Sequence, residues 1–350
     1  MNDTVDAVLE PALGKRFTGA VVRVEQEGRL VLERAYGRVD EGASSVPVDG
    51  TTRFDLASLT KVFVATTALQ AVEAGALALN EPLAALVPEW NTPERARISL
   101  RQLLAHDAGL QSGADYRELF GSDVERYSLE RPLVARVGER VVYSDLGFIA
   151  LGVVLARALG TSLSTAVERT CRSVGASVAA FRPRALDRAA IPASEDDGWR
   201  GRVRGEVHDE KCWLMNGVAG HAGLFGTAAD VARLAEAYLG AINGRPGDAL
   251  GVETAREATR EQAFDPVLRR GLGWALKTSD ENSCGALMSA QTFGHTGFTG
   301  TCVWVDPVRD LTIVLLTNAV YYGRHDLRDV RAGVCDAITA ACDAAEGVRA

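Results

Sequence analysis

Segments that predict β-strands lie at both ends of this 350-residue chain, and segments that predict helices fill the middle. The strand-like runs are residues 19–25, 29–36, 287–295, 300–306 and 311–318. The first two flank Gln26-Glu27-Gly28, which is typical of a hairpin. We therefore predict an α/β (α+β) fold with an antiparallel sheet built from both termini, flanking helices and an inserted all-helical subdomain. We expect one domain over residues 1–350, with 1–66 and 270–350 as the sheet subdomain and 67–269 as the mainly helical one.

Helices are expected where apolar residues recur at helical spacing between capping signals. The expected helices are residues 3–14, 58–74, 99–104, 146–159, 228–239 and 326–344. Ser99 and Thr227 are suited to cap the third and fifth of them, and Gly160 to close the fourth. The polar, glycine-rich segment 181–223 is expected to be a long loop region.

Composition excludes several classes of protein. The chain has 38 Lys and Arg against 46 Asp and Glu, and a net charge of −8 argues against a nucleic-acid partner. No apolar run approaches the roughly 20 residues that span a membrane, so no span is expected. The N-terminus shows no secretory signal, which favours the cytoplasm, or the periplasm or secretion if a leader has been removed. The sequence does not indicate an oligomeric state.

Six cysteines are scattered along the chain without a Cys-x-x-Cys pair. This pattern is typical of reduced thiols in a cytosolic protein, several of them buried. His208, Cys212 and His221 offer the donor atoms for zinc, but their spacing fits no structural zinc pattern. We therefore expect neither a metal nor a cofactor.

Lysine is scarce, since only Lys15, Lys61, Lys211 and Lys277 occur, and we interpret the excess of arginine as a usage bias. Lys61 follows Ser58 by three positions, so both side chains lie on one face of a helix. A desolvated lysine can take the proton of such a hydroxyl, which makes Ser58 a candidate nucleophile. A surface pair is the alternative, but the apolar residues around Lys61 indicate that it points into protein or a cleft.

Two further short segments carry groups that could do chemistry. In Tyr143-Ser144-Asp145, a tyrosine beside cations can shuttle a proton, whereas a packing tyrosine and a capping Asp145 are the alternative. In Gly294-His295-Thr296-Gly297, a strand end followed by glycine lets a substrate lie along the edge with a backbone N–H free to donate. The alternative there is a hairpin entry with an incidental histidine.

The three segments together, in this order, resemble the motifs of the serine β-lactamase and penicillin-binding-protein superfamily. The tyrosine in the second motif is similar to the class C branch, with its esterases and D-amino-acid peptidases. Residues 54–61, 98–110, 205–210 and 217–225 resemble further segments of this family. The resemblance extends from about residue 17 to the final helix and implies a β-lactamase/transpeptidase-like fold.

The resemblance also implies roles for single residues. Ser58 would accept the acyl group, and Lys61 and Tyr143 would share the general-base and general-acid work. The backbone N–H groups of Ser58 and Phe298 would form the oxyanion hole. His295 and Thr296, followed by Gly297, would line the pocket that receives the substrate.

Two residues depart from the β-lactamase pattern. Asp145 stands where class C enzymes carry asparagine, and an ionised Asp145 near Lys61 would favour the ammonium and shift proton acceptance toward Tyr143. Alternatively, Asp145 faces elsewhere. His295 stands where β-lactamases carry lysine, so the site would lack a permanent positive charge for a β-lactam carboxylate. Both changes favour an esterase, amidase or transacylase over an efficient β-lactamase.

Residues of the 181–223 segment lie where the resemblance implies the cleft rim. His208, Asp209 and His221 are candidates for substrate contact, and structural loop residues are the alternative. We therefore expect a serine hydrolase that forms an acyl-enzyme on Ser58 and cleaves a small ester or amide. The alternatives are a D-amino-acid peptidase or β-lactamase, an acyltransferase, and a non-catalytic acyl- or peptidoglycan-binding module.

Overall fold

A computed structural model of the chain describes residues 1–42, 44–245 and 247–349. The helices are α1 (Asn2–Leu9), α2 (Thr60–Glu73), α3 (Leu100–Leu104), α4 (Val124–Glu130), α5 (Asp145–Leu159), α6 (Leu163–Ser173), α7 (Glu210–Leu214), α8 (Ala228–Ile242), α9 (Val252–Thr259) and α10 (Arg328–Arg349). The strands are β1 (Gly19–Gln26), β2 (Arg29–Gly37), β3 (Phe54–Asp55), β4 (Ala180–Phe181), β5 (Glu195–Asp197), β6 (Gly201–Val203), β7 (Leu224–Gly226), β8 (Ala275–Leu276), β9 (Phe293–Thr296), β10 (Cys302–Asp306) and β11 (Leu311–Thr317).

The main sheet has six antiparallel strands in the order β2-β1-β11-β10-β9-β8. Strand β1 from the N-terminus pairs with β11 from the C-terminus, and Ala20 lies opposite Thr317. The sheet predicted from both termini is thus confirmed. A second sheet of three short strands, in the order β3-β7-β4, connects the segment before α2 to the middle of the chain.

Alternate residues of β11 enter two different hydrophobic cores because successive side chains of a strand point to opposite faces. Val314 and Leu316 pack into the core that contains most of α2, α5 and α8. Ile313 and Leu315 pack into the core formed with α1 and α10. Both faces of the sheet are therefore covered, which explains why every residue of β11 is buried.

Helix α2 is surrounded by protein, and its buried residues run from Thr60 to Leu69 without interruption. Its apolar side chains belong to the same core as those of α5 and α8. A helix that is apolar all round is typical of a core position. The boundaries that we place at residues 66/67 and 269/270 stay a prediction.

The segment 181–223 differs from the expected loop. It contains the hairpin of β5 and β6 and the five-residue helix α7. Elements this short have no recognisable hydrophobic period, so their sequence reads as polar loop. Strand β8 was not expected either, and β9 begins at Phe293 rather than at residue 287.

Among the described residues, no single helix is long and apolar enough to cross a bilayer. The pair α5 and α6 reaches the required length only together, and it is bent by 85°.

Candidate active site

Ser58 lies in a short 3₁₀ turn, Ala57–Leu59, that leads directly into α2. Ala57 has a φ of 46°, a left-handed conformation that an alanine adopts only when its surroundings hold it there. The buried carboxylate of Asp55 accepts the N–H of Ala57 at 2.8 Å and the N–H of His208 at 2.7 Å. Asp55 therefore joins the turn that carries Ser58 to the segment before α7.

Lys61 is completely buried one turn into α2, and its ammonium has three acceptors. Its Nζ lies 3.0 Å from Ser58 Oγ, 2.8 Å from Asp145 Oδ1 and 3.2 Å from the His221 carbonyl oxygen. Because an ammonium group has three hydrogens to donate, this arrangement fits the protonated lysine. The predicted Ser58–Lys61 pair is present, and Asp145 does contact Lys61.

The charges around Lys61 keep it protonated. Burial opposes the charged form, but the carboxylate of Asp145, together with Tyr143, raises the pKa of Lys61. Burial likewise opposes ionisation of Asp145, yet the Lys61 ammonium lowers the pKa of this carboxyl. The two groups therefore form an ion pair beside Ser58, and the expectation that Asp145 favours the ammonium agrees with this geometry.

Tyr143 precedes α5, whose N-terminus is capped by the Ser144 hydroxyl and not by Asp145. The ring of Tyr143 lies between two cations, with Lys61 Nζ 4.8 Å and Arg270 Cζ 5.0 Å from its centre. His106 packs on the same ring at 4.6 Å and accepts the Ser144 N–H through Nδ1 at 3.1 Å. The ring of Tyr143 is thus held by one histidine contact and two cation contacts at the start of α5.

The third motif reaches the turn that carries Ser58 at the end of β9. A Cβ on Gly297 would lie 2.1 Å from Thr301 Oγ1 and 2.8 Å from the Leu56 carbonyl oxygen, so only glycine fits there. Thr299 and Thr301 donate from their hydroxyls to the carbonyl oxygens of Asp55 and Leu56. These two hydrogen bonds join the 297–301 loop to the backbone just before the turn.

The backbone N–H groups of Ser58 and Phe298 are both available for an oxyanion. Neither group donates a hydrogen bond to another of the described residues. Both residues line the same cleft. This is the arrangement that the resemblance implies for an oxyanion hole.

His295 is buried and neutral. Burial, followed by the nearby charges of Lys61 and Arg270, lowers the pKa of His295 to about 3. Its Nδ1–H donates to the carbonyl oxygen of Thr296 at 2.8 Å, while Nε2 has no partner among the described residues. His295 therefore offers the cleft a hydrogen-bond acceptor and no positive charge.

The cleft has a volume of about 610 Å³ and is lined by Ser58, Tyr143, Arg270, His295, Thr296 and Phe298 among others. Arg270 corrects the expectation that this site lacks a permanent positive charge. Its guanidinium is buried, forms no ion pair with another of the described residues, and lies over the ring of Tyr143. A buried, unpaired cation of this kind favours an anionic ligand.

The two rim histidines lie inside the protein. His208 binds Glu195 through Nε2 at 2.8 Å and stacks on the exposed ring of Phe298, with 5.6 Å between the ring centres. His221 Nε2 lies 2.7 Å from Asp209 Oδ1, and its carbonyl oxygen accepts from Lys61. His208 reaches the site through Phe298, and His221 reaches it through its carbonyl oxygen. Direct contact of either ring with a substrate stays a prediction.

Lys211 is a second lysine beside the site, which the three motifs do not indicate. Its ammonium lies 2.9 Å from Asp209 Oδ2 and 3.4 Å from Asp145 Oδ2. The two carboxylates raise the pKa of Lys211 although burial opposes it. A second buried lysine thus stands on the far side of Asp145 from Lys61.

One group of side chains in the described part of the chain has the geometry to hold a metal. The ligand atoms of Asp145, Asp209 and His221 lie within 4.8 Å of one another. The Lys211 ammonium already binds both of these carboxylates, so the positive charge that the group favours comes from the protein. The zinc trio considered from the sequence does not converge, since Cys212 donates to the Ala222 carbonyl oxygen and His208 binds Glu195.

Sequence reasoning missed Arg270 entirely and had only a weak signal for His106 and Lys211. Arg270 is one of many arginines and lies outside the three motifs. His106 falls inside the 98–110 segment and Lys211 follows the 205–210 segment, so the family-like stretches pointed to their neighbourhood. Their roles depend on tertiary contacts that spacing does not reveal.

Comparison with known proteins identifies relatives over nearly the whole chain. The family described as Beta-lactamase matches residues 5–335. An "N-acetylmuramyl-L-alanine amidase" of Bacillus subtilis (strain 168) is 31% identical, over 90% of this chain and 80% of the relative. A "Putative D-alanyl-D-alanine carboxypeptidase" of Escherichia coli (strain K12) is 30% identical, over 84% of this chain and 76% of the relative.

Solved structures confirm the predicted fold. "EstCE1, a hydrolase with promiscuous acyltransferase activity" superposes with a TM-score of 0.79 at 21% identity, covering 97% of this chain and 98% of that one. A structure titled "Crystal structure of a class C beta lactamase" gives a TM-score of 0.76 at 20% identity, with 97% of each chain covered. At these identities the likeness shows the shared fold.

Proposed function

This chain belongs to the beta-lactamase family and is a serine hydrolase, and we propose that its acyl-enzyme forms on Ser58. The observation that carries this assignment is the contact of Ser58 Oγ with the buried Lys61 ammonium at 3.0 Å. A hydrogen bond from a cation stabilises the negative charge that a hydroxyl develops as it loses its proton. The left-handed Ala57 and the buried Asp55 hold that hydroxyl at the cleft.

The proton of Ser58 passes to Tyr143 in this proposal. Lys61 is paired with Asp145 and has its three hydrogens engaged, so it acts as a donor to Ser58 Oγ and not as the base. Tyr143 lines the same cleft as Ser58, and Lys61 and Arg270 both lie over its ring, so its hydroxyl is the group that we assign as proton acceptor. The reverse transfer would protonate the leaving group, and a second cycle with water would release the acyl group.

The oxyanion of the tetrahedral intermediate would lie between the N–H groups of Ser58 and Phe298. Their fixed positions depend on Gly297 and on the hydroxyls of Thr299 and Thr301, which bind the backbone before Ser58. His295 would accept a hydrogen bond from the substrate through Nε2. Preorganised donors of this kind act without reorganisation during the reaction.

We further propose that the substrate is a small amide or ester that carries a carboxylate. Arg270 supports this, because its buried guanidinium has no carboxylate partner among the described residues and borders the cleft beside Tyr143. The names of the two relatives, an amidase and a D-alanyl-D-alanine carboxypeptidase, agree with an amide substrate. The D-amino-acid peptidase alternative is therefore favoured above the neutral ester.

Replacement of Ser58 tests the nucleophile. Ser58→Ala is expected to lower kcat for p-nitrophenyl ester hydrolysis by about 10⁴-fold or more, since the acyl acceptor is lost. A fluorophosphonate probe followed by peptide mass spectrometry should modify the peptide that contains Ser58. Ser283→Ala is the matched control, because Ser283 also lines the cleft. An active Ser58→Ala enzyme, or an adduct on another peptide, would refute the assignment.

Paired substrates test the role of Arg270. We expect a D-Ala-D-Ala peptide with a free carboxylate to react faster than the same peptide with a C-terminal amide. In Arg270→Gln this ratio should fall by about 10-fold or more, since the buried cation that meets the carboxylate is gone. A ratio that is equal in both enzymes would show that Arg270 does not select the substrate.

The compartment is part of the proposal. Five cysteines, Cys171, Cys212, Cys284, Cys302 and Cys335, are buried as free thiols, which supports a reducing compartment such as the cytoplasm. The names of the relatives favour the cell wall instead. Cell fractionation followed by labelling of the active enzyme with the fluorophosphonate probe distinguishes the two locations.

A further inference from the structure

The site of Ser58 is bordered by a closed ring of polar contacts that the mechanism above uses only in part. Lys61 binds Asp145, which binds Lys211 at 3.4 Å, and Lys211 binds Asp209 at 2.9 Å. Asp209 binds the ring of His221 at 2.7 Å, and the carbonyl oxygen of His221 accepts from Lys61. We call these five residues the charge ring.

We propose that Lys211 is a positioning residue that shares the carboxylate of Asp145 with Lys61 and thereby controls how strongly this carboxylate acts on the catalytic groups. The proposal deepens the proposed function and rests on it, since it concerns the same Ser58 site. Lys211 itself has no place in the cleft lining, so it acts through Asp145.

The two carboxylate oxygens of Asp145 have different lysine partners. Oδ1 binds Lys61, and Oδ2 faces Lys211. A carboxylate bound on both sides is fixed in rotation and divides its charge between two cations. Without Lys211, the same charge would act on Lys61 alone, in a buried place where water screens it little.

The charge ring contains as many lysines as aspartates. His221 binds Asp209 through Nε2, while its buried Nδ1 has no partner among the described residues. The charges of the two lysines and the two aspartates cancel, so the loss of Lys211 would leave one carboxylate of the ring without a lysine partner.

Asp209 holds Lys211 in place through the local fold. Its Oδ1 accepts the N–H of Cys212 at 2.8 Å and so caps α7, the helix that carries Lys211. Burial opposes the ionised carboxylate of Asp209, but its contacts with His221 and Lys211 hold the pKa of this carboxyl well below its usual range.

Other titratable and charged groups face the ring, and a test must leave them unchanged. These groups are Tyr143, His106, His295, Arg270 and Asp55.

The experiment therefore changes only Lys211 and Asp209. It follows kcat/KM for p-nitrophenyl acetate against pH, because a merely structural role would lower the rate without moving the acid limb of the profile.

Removal of the positive charge should make the catalytic base harder to deprotonate. In Lys211→Met we expect the acid limb to move to higher pH by about 1 unit, and kcat/KM at pH 7 to fall about 10-fold. Asp209→Asn, which can still accept the Cys212 N–H, should move the limb to lower pH. The double variant restores neutrality, so its limb should return toward that of the unchanged enzyme.

The double variant separates charge from structure. If the acid limb of the double variant stays where it lies in Lys211→Met, the proposal is wrong. The same holds if no variant moves the acid limb. If Lys211→Met does not fold, Asp209→Asn still tests the proposal. An acid limb that does not move to lower pH in this variant would refute it. Fluorophosphonate labelling of Ser58 counts active sites in each sample. An active Ser58→Ala enzyme would refute the proposed function, whereas unmoved limbs beside an inactive Ser58→Ala refute only the role of Lys211.

Discussion

In the mechanism that we propose, Asp145 decides which group takes the proton of Ser58, because it lies 2.8 Å from the Lys61 ammonium. Asparagine keeps the size of this side chain and removes its charge. In Asp145→Asn we expect the acid limb of kcat/KM to move to lower pH by about 1 unit, since less negative charge faces Lys61 and Tyr143. A pH–rate profile of p-nitrophenyl acetate hydrolysis measures this. A limb that stays in place would show that the Asp145 charge does not reach the base.

The same substitution changes how stability depends on pH. The folded-state pKa of Asp145 is lowered, so its ionised form stabilises the protein above its unfolded pKa of about 4. That stability is lost as the pH falls through the folded-state pKa. Thermal unfolding between pH 3 and 7 should therefore show a weaker loss toward acid in Asp145→Asn than in the unchanged protein. An equal loss of thermal stability toward acid in both proteins would contradict the ion pair.

Single residues of the site were predictable where the chemistry is local in sequence. Ser58 and Lys61 occupy neighbouring turns, so their contact follows from helical spacing. Arg270 and Lys211 are different, because one meets Tyr143 and the other meets Asp145 across distant parts of the chain. Nothing in the spacing of these residues indicates that they share a site. The neutral His295 was expected, but the cation that accompanies it was not.

At the scale of elements, the 297–301 loop and the 57–59 turn act as one unit. Their backbones approach so closely at Gly297 that a methyl group would overlap Thr301 Oγ1 and the Leu56 carbonyl oxygen. The Arg331 guanidinium from α10 supports the loop by donating to the Gly297 carbonyl oxygen at 2.7 Å. The position of the Phe298 N–H therefore depends on packing between three elements.

Gly297→Ala tests this dependence. The added methyl must push the loop away from the turn, so we expect kcat to fall by about 10²-fold or more as one oxyanion donor moves. The melting temperature should fall by a few degrees. Gly113→Ala is the matched control, because no atom lies within 4 Å of the added methyl there. An unchanged kcat in a folded Gly297→Ala enzyme would show that Phe298 is not an oxyanion donor.

Elements with strong local signals were predicted well, and short ones were not. The hairpin of β1 and β2 and the helices α5 and α8 lie close to their expected positions because their turns, caps and apolar periods are local. Helix α7 has five residues, and β5 and β6 have three each. Such short elements exist because tertiary contacts hold them, so the 181–223 segment could only be read as a loop.

At the scale of the whole molecule, the site is assembled from both ends and the middle of the chain. Asn318 follows β11, and its side chain accepts the N–H groups of Thr18 and Gly19 and donates to the Ala193 carbonyl oxygen. The overall arrangement was predictable, since strand signals at both termini must meet to form one antiparallel sheet. The exact neighbours were not, because strand order depends on long-range packing.

The sheet order also sets when the enzyme can first work during its synthesis. A ribosome releases β1 and β2 long before β11, the strand that pairs with β1, and the 297–301 loop also comes late. The turn with Ser58 therefore leaves the ribosome before Phe298, the second oxyanion donor that we propose, and before β11 has paired with β1. A nascent chain should therefore stay inert until β11 and the 297–301 loop have also left the ribosome and joined the part that carries Ser58.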